Sequence, residues 1–195
     1  MRTPLPPNPR SRRQSVRFLI PFLLGVSCVL LLAAAQPGDQ DLSDQLALTE
    51  LSHRYAWAID TMDRALLAEV FTPDAKAHYV EVGPKILGLD ARLDGFDEIY
   101  AWLESGLGHR KGPAGLPWHF MSNHLIELDG DRAKMRFYMH NRPLAAGGVY
   151  YVDAVRTAEG WRIARLRLEE QTWKAEAYEG TPQPEMRKGA ADEEG

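Results

Sequence analysis

The sequence predicts an α+β domain, with three helices packed on one face of a strongly bent antiparallel sheet. Between Asp41 and Leu107 apolar residues recur at spacings of three and four, as on one face of an amphipathic helix. After Pro117 four runs rich in aromatic and branched residues follow one another, separated by turn-forming sequence. Of 195 residues, the leading 35 read as an address, and the remaining 160 suffice for one core but not two.

The first helix spans Asp41 to Met62, with Leu48, Leu51, Tyr55, Ile59 and Met62 on its apolar stripe and Ser43 or Asp44 as its cap. Asp63 caps a second, short helix carrying Leu66, Leu67, Val70 and Phe71, which Thr72-Pro73-Asp74 stops. Strand-like sequence runs from Ala75 to Val82. Asp94 to Leu107 is the third helix, its stripe made by Phe96, Ile99, Tyr100, Leu103 and Leu107. A Gly- and Pro-rich loop leads to Pro117. The strands that follow are Trp118 to Leu128, Arg132 to Asn141, Val149 to Thr157 and Trp161 to Thr172, joined by Asp129-Gly130-Asp131, by Arg142 to Gly148 and by Ala158-Glu159-Gly160. Residues 36–178 form this domain, and the polar stretch 179–195 reads as a disordered tail.

Residues 1–17 are rich in Pro and Arg, residues 18–35 are uncharged and apolar, and Ala33-Ala34-Ala35 offers small residues for cleavage. That is the pattern of an export signal, which sets the domain in a periplasmic or secreted location. Ser11-Arg12-Arg13-Gln14 partly resembles a twin-arginine signal. The competing reading is an uncleaved membrane anchor, since 18 apolar residues just reach the length of a span. The chain has 23 Lys and Arg against 27 Asp and Glu; five arginines lie in the leader, leaving 18 basic against 27 acidic residues and a net of −9. Such a body gives a phosphate backbone little to hold, so nucleic acid is not expected as a partner. The single cysteine, Cys28, also lies in the leader, so the body offers no thiol nucleophile and no Cys-ligated zinc. The six histidines show no His-x-x-x-His pair, and neither a metal nor another cofactor is expected.

Several segments in order resemble the SnoaL-like branch of the nuclear transport factor 2-like superfamily, which includes scytalone dehydratase, bile-acid 7-alpha-dehydratase and a hexachlorocyclohexane dehydrochlorinase. They are Leu51 to Asp60, Asp63, Phe71-Thr72-Pro73-Asp74-Ala75, Gly95 to Ile99, His119-Phe120-Met121-Ser122-Asn123, Gly130 to Ala133, and Gly160-Trp161-Arg162-Ile163. The resemblance implies a cone-shaped fold and an aspartate-histidine pair at the bottom of an apolar pocket. Asp60 matches the family aspartate and His119 the family histidine, a general base whose tautomer the carboxylate fixes. Tyr55 matches a catalytic tyrosine of some dehydratases, and His140 a second histidine on the next strand. Trp57, Asn123 and Arg165, the last interchangeable with Arg167, are the implied substrate-binding residues.

Each assignment has a plainer competitor. Asp60 can cap a turn, His119 can be a hydrogen-bonded core histidine, and Tyr55 lies on the stripe with Leu51 and Ile59, where a core tyrosine fits equally well. Strict alternation sets His140 on the solvent side with Lys134 and Arg136, and sets His124 on the face opposite His119. Arg165 and Arg167 share a face with Trp161 and Ile163, and can instead be a solvated ladder. Two functions follow: a cofactor-independent lyase or isomerase acting on a small apolar or polycyclic substrate, or a non-catalytic small-ligand-binding module of the same fold. A homodimer through an outer patch of Phe120, Ile126 and Leu128 is expected.

Overall fold

The computed structural model describes residues 37–83, 86–108 and 118–174. The expected export signal with its cleavage region, most of the Gly- and Pro-rich loop and the expected tail lie outside the described residues. The chain divides into units 1–40 and 41–195, and the domain is the second. Its elements are α1 (Pro37–Thr61), α2 (Arg64–Val70), β1 (Phe71–Glu81), β2 (Asp90–Asp94), α3 (Phe96–Leu107), β3 (His119–Asp129), β4 (Arg132–Asn141), β5 (Ala146–Thr157) and β6 (Gly160–Thr172). The six strands form one sheet in the order β2-β1-β6-β5-β4-β3. β1 pairs with β6 in parallel and the other neighbours are antiparallel.

The expected stripes face the core. Leu48, Leu51, Tyr55 and Ile59 of α1 and Met62 just after it are buried, as are Leu67 and Val70 of α2 and Ile99, Trp102 and Leu103 of α3. They meet the inward residues of the sheet, including Tyr79, Phe137, Tyr150, Val152 and Leu168. Aromatic rings run through this layer: Trp102 stacks on Tyr79 at 4.5 Å, Phe137 on Tyr150 at 5.2 Å, and Tyr55 meets Tyr150 edge to face. Each such pair adds about 0.5–1.5 kcal/mol beyond its buried area.

Asp63 caps α2, its Oδ1 accepting the Leu66 N–H at 3.0 Å. Asp44 does not cap α1, which begins upstream; its buried carboxylate accepts from the Trp161 indole N–H and from Arg156, whose guanidinium lies over the Trp161 ring. β2 is an addition to the expected elements. It has only two inward residues, Ala91 and Leu93, between charged neighbours, too short an alternation to read as a strand. Asp94 therefore ends β2 rather than opening α3, and Gly95, with φ of 93°, makes the turn into the helix. β5 begins three residues before the expected Val149: Gly147 and Gly148 pair with Gln171 and Glu170. A side chain on Gly148 would run into the Glu169 carbonyl oxygen, so glycine permits this close approach.

Two bulges decide which residues face the helices. On β3 the register slips between Ser122 and Leu125, and Asn123 takes φ of 57°, which asparagine tolerates better than most residues. Beyond it His124, Ile126 and Leu128 turn inward and Leu125 turns out, so the expected outer patch of Phe120, Ile126 and Leu128 is broken up: Ile126 and Leu128 pack against the core. On β6 a slip between Ile163 and Arg165 leaves Ala164 unpaired, which turns Arg165 and Arg167 away from the side of Trp161 and Ile163.

Candidate active site

α1 runs antiparallel along the inner face of β3, and two side-chain contacts join them. At one end Asp60 Oδ1 meets His119 Nδ1 at 2.6 Å. Asp60 Oδ2 accepts the backbone N–H groups of Trp118 at 2.9 Å and His119 at 3.0 Å. The carboxylate is thus held by three donors at the mouth of β3. Its side chain is 5 % exposed and that of His119 11 %. Burial raises the Asp60 carboxyl, but the hydrogen bond from the His119 ring, the charge of that ring and the two backbone donors outweigh it, holding the group below the ordinary carboxylate range. An ionised Asp60 accepts only, so the proton of the neutral imidazole resides on Nδ1 and the lone pair on Nε2. On the same face His119 neighbours Asn141, whose Oδ1 takes the N–H groups of Ala145 and Ala146, and next along come the paired Met121 and Met139.

At the other end Ser52 Oγ meets His124 Nε2 at 2.6 Å and also donates to the Thr49 carbonyl at 2.7 Å. With its single proton given to Thr49, Ser52 accepts from His124 Nε2–H. His124 stacks on Phe137 at 4.9 Å and has His53 at its edge, 5.7 Å away. Burial, then the neighbouring His53, push its imidazole below the ordinary range. The expectation that His124 faces away from His119 therefore fails. The Asn123 bulge inserts one residue, and the two histidines come to one face. Asn before the histidine was the available signal, since asparagine is among the few residues other than glycine that readily take a positive φ.

The remaining candidates stand elsewhere. Tyr55 is fully buried, and its hydroxyl meets that of Tyr79 at 2.9 Å; it is a core tyrosine, and the phenol expected at the catalytic pair is not exposed to a substrate. Burial foremost raises Tyr55, Tyr79 and Tyr150 well above the ordinary phenol range, and Tyr150 lies near enough to Asp60 to feel its charge. His140 is on the opposite sheet face, stacked on Phe120 at 5.0 Å, so it does not join His119. Trp57 is 59 % exposed on the outward side of α1. Asn123 is exposed, at the bulge in β3. Arg165 is exposed on the outer face with Arg167, for the parity reason given above. Among the described residues no three His, Cys, Asp or Glu side chains converge.

Residues 40–167 match the family model of the SnoaL-like domain. The chain belongs to that family. An uncharacterized protein of Mycobacterium tuberculosis, Rv2910c, is 35 % identical to this SnoaL-like chain over 134 residues, covering 64 % of it and 84 % of the relative. Among solved structures, Rv3472 of M. tuberculosis, described as of unknown function, superposes with a TM-score of 0.56 at 22 % identity, over 71 % of this chain and 78 % of that one. A candidate scytalone dehydratase of Novosphingobium aromaticivorans gives 0.52 at 18 % identity, over 78 % and 99 %. These likenesses show the nuclear transport factor 2-like fold, in a family that has isomerase and dehydratase members.

Proposed function

We propose that this SnoaL-like domain is a cofactor-independent lyase or isomerase, dehydratase-like, in which His119 is the general base and Asp60 its orienting carboxylate. The contact of Asp60 Oδ1 with His119 Nδ1 at 2.6 Å carries the reading, because it presents Nε2 unprotonated. In the proposed step Nε2 takes a proton from carbon next to an activating carbonyl, and the C–H pair moves toward that carbonyl. The imidazolium, stabilised by Asp60, then returns the proton. Returned to a β-hydroxyl, it releases water as the new C=C forms; returned to a more distant carbon, it moves a double bond. The apolar surroundings, Met121, Met139 and the rings behind them, suit a small apolar or polycyclic substrate. The leader sets this chemistry in an exported compartment, which fractionation of expressing cells tests.

The assay compares wild type, Asp60→Asn and His119→Ala against a panel of hydroxy-ketones and steroids. Turnover should be lost with His119→Ala and fall about 10²- to 10⁴-fold with Asp60→Asn. Equal turnover in all three removes the base, and the domain is then a ligand-binding module.

A further inference from the structure

Beside His119, the next inward row of the sheet runs from Met121 on β3 through Met139 on β4, Gly148 on β5 and Glu170 on β6 to Glu81 on β1. On the inward side of β6, Leu166, Leu168 and Thr172 are buried, whereas Glu170 between the last two is only half-buried. Met121 and Gly148 in the same row are half-buried too, so the packing of helices on the sheet opens along this row. Gly148 draws β6 close: a Cβ there would lie 3.0 Å from the Glu170 Cα, and the close approach carries Glu170 toward Met139 and the His119 side. Burial foremost raises the Tyr55 and Tyr150 phenols, the charge of Glu170 adds to both, and that of Asp60 adds to Tyr150. Glu170 and Asp60 thus flank one buried tyrosine. Glu81 is engaged elsewhere, its carboxylate accepting the N–H groups of Leu87 and Gly88. The row holds no Lys or Arg, and Arg165 and Arg167 face outward.

We infer that Glu170 is a specificity-determining residue of the proposed site, whose carboxylate accepts a hydrogen bond from a substrate hydroxyl and turns away substrates that carry a carboxylate. The inference rests on the proposed site and narrows its substrate class to uncharged molecules with a hydroxyl remote from the reacting carbon. Met121, two residues from His119, and Glu170 stand three strand spacings apart, about 14 Å at the backbone. Both side chains reach inward across that span, so a fused-ring skeleton can extend from the His119 imidazole to the Glu170 carboxylate. A carboxylate accepts at about four lone-pair sites, so a substrate hydroxyl is taken in addition to the contacts that Glu170 makes within the domain. Hydrogen bonds to a charged acceptor are about twice as strong as neutral ones, while a second carboxylate brought into this partly desolvated row meets like charge. An inward arginine at this place on β6 would select acids; Glu170 selects against them.

The test measures binding of 2-naphthol and 2-naphthoate, one ring system with a hydroxyl or a carboxylate, to the full chain by isothermal titration calorimetry at pH 7. Wild type should bind 2-naphthol at least tenfold more tightly than 2-naphthoate. In Glu170→Gln the affinity for 2-naphthol should fall about three- to tenfold, as a charged acceptor becomes a neutral one, and that for 2-naphthoate should rise at least tenfold. Glu170→Asp keeps the charge and should still reject 2-naphthoate, and circular dichroism melting without ligand confirms that both variants fold. His119→Ala should keep the preference for 2-naphthol whether or not the wild type turns over hydroxy-ketones, so a failure of the base and a failure of Glu170 are told apart. Equal affinity of wild type for the two probes, no binding of 2-naphthol, or an unchanged preference in Glu170→Gln would each overturn the inference.

Discussion

Asp60 carries three accepted hydrogen bonds on two oxygens, and its replacement by Asn separates its two tasks. Asn keeps the shape but can offer an N–H to His119 where Nδ1–H now donates, so the imidazole loses the tautomer that leaves Nε2 free. Turnover should therefore fall much further than thermal stability, and a melt run beside the assay checks that split. His119→Gln should remove activity with a similarly small effect on the melt. Ser52 differs in kind: it is buried and its oxygen serves His124, so Ser52→Ala leaves a half-buried imidazole N–H without its partner. A loss of about 1–3 kcal/mol is expected, measured by urea unfolding with the slope unchanged.

β3 shows how one backbone torsion rearranges a strand. His119 and His124 lie five residues apart, which on an unbroken strand sends them to opposite faces; the extra residue at Asn123 makes the separation even in ladder steps. The four steps cover about 13 Å, close to the 12 Å of eight helical residues between Ser52 and Asp60, so both contacts close at once. Asn123→Val should cost about 1–2 kcal/mol, since a branched side chain resists positive φ, whereas Asn123→Gly should melt close to wild type. The stripes of α1 to α3, the Asp63 cap and the solvent side of His140 were legible in the sequence, because each depends on a regular period or a local turn. The Asp60 and His119 pairing was legible only through family resemblance, as nothing in their spacing brings them together. Arg165 and His124 were misplaced for one reason: a bulge adds a residue without changing composition, and alternation read along the chain carries no mark of it. Tyr55 was ambiguous on its stripe, and only the contact with Tyr79 fixes it in the core.

The folded domain as a whole holds several ionisable groups away from their ordinary values, and the signs agree on the acid side. His124 is lowered by burial and by His53, so the unfolded chain takes up its proton first as pH falls below about 6.5, and stability drops there. Asp60 and Glu81 are lowered as well: burial opposes their charge, but His119 with its backbone donors, and the N–H groups around Leu87 and Gly88, prevail. Their contribution is present above the ordinary carboxylate range and disappears as pH falls through their folded values. On the alkaline side Tyr55, Tyr79 and Tyr150 are raised, burial leading in each, so unfolding gains protons to release above about 10 and stability declines again. Melting temperature against pH should show a plateau near neutrality with a two-step acid flank, and Asp60→Asn should flatten the lower step.

The order of the strands leaves β2 and β3 at the borders of the sheet, where unpaired backbone groups invite another chain to add on. β2 offers five residues, too few for a firm template. β3 is eleven residues long and would be the hazard, but Asn123 twists the border that no described strand pairs and throws the spacing of its N–H and C=O groups out of step midway. The bulge that aligns two histidines thus also makes this border a poor template for edge-to-edge addition, a protection that a single deletion at Asn123 would remove.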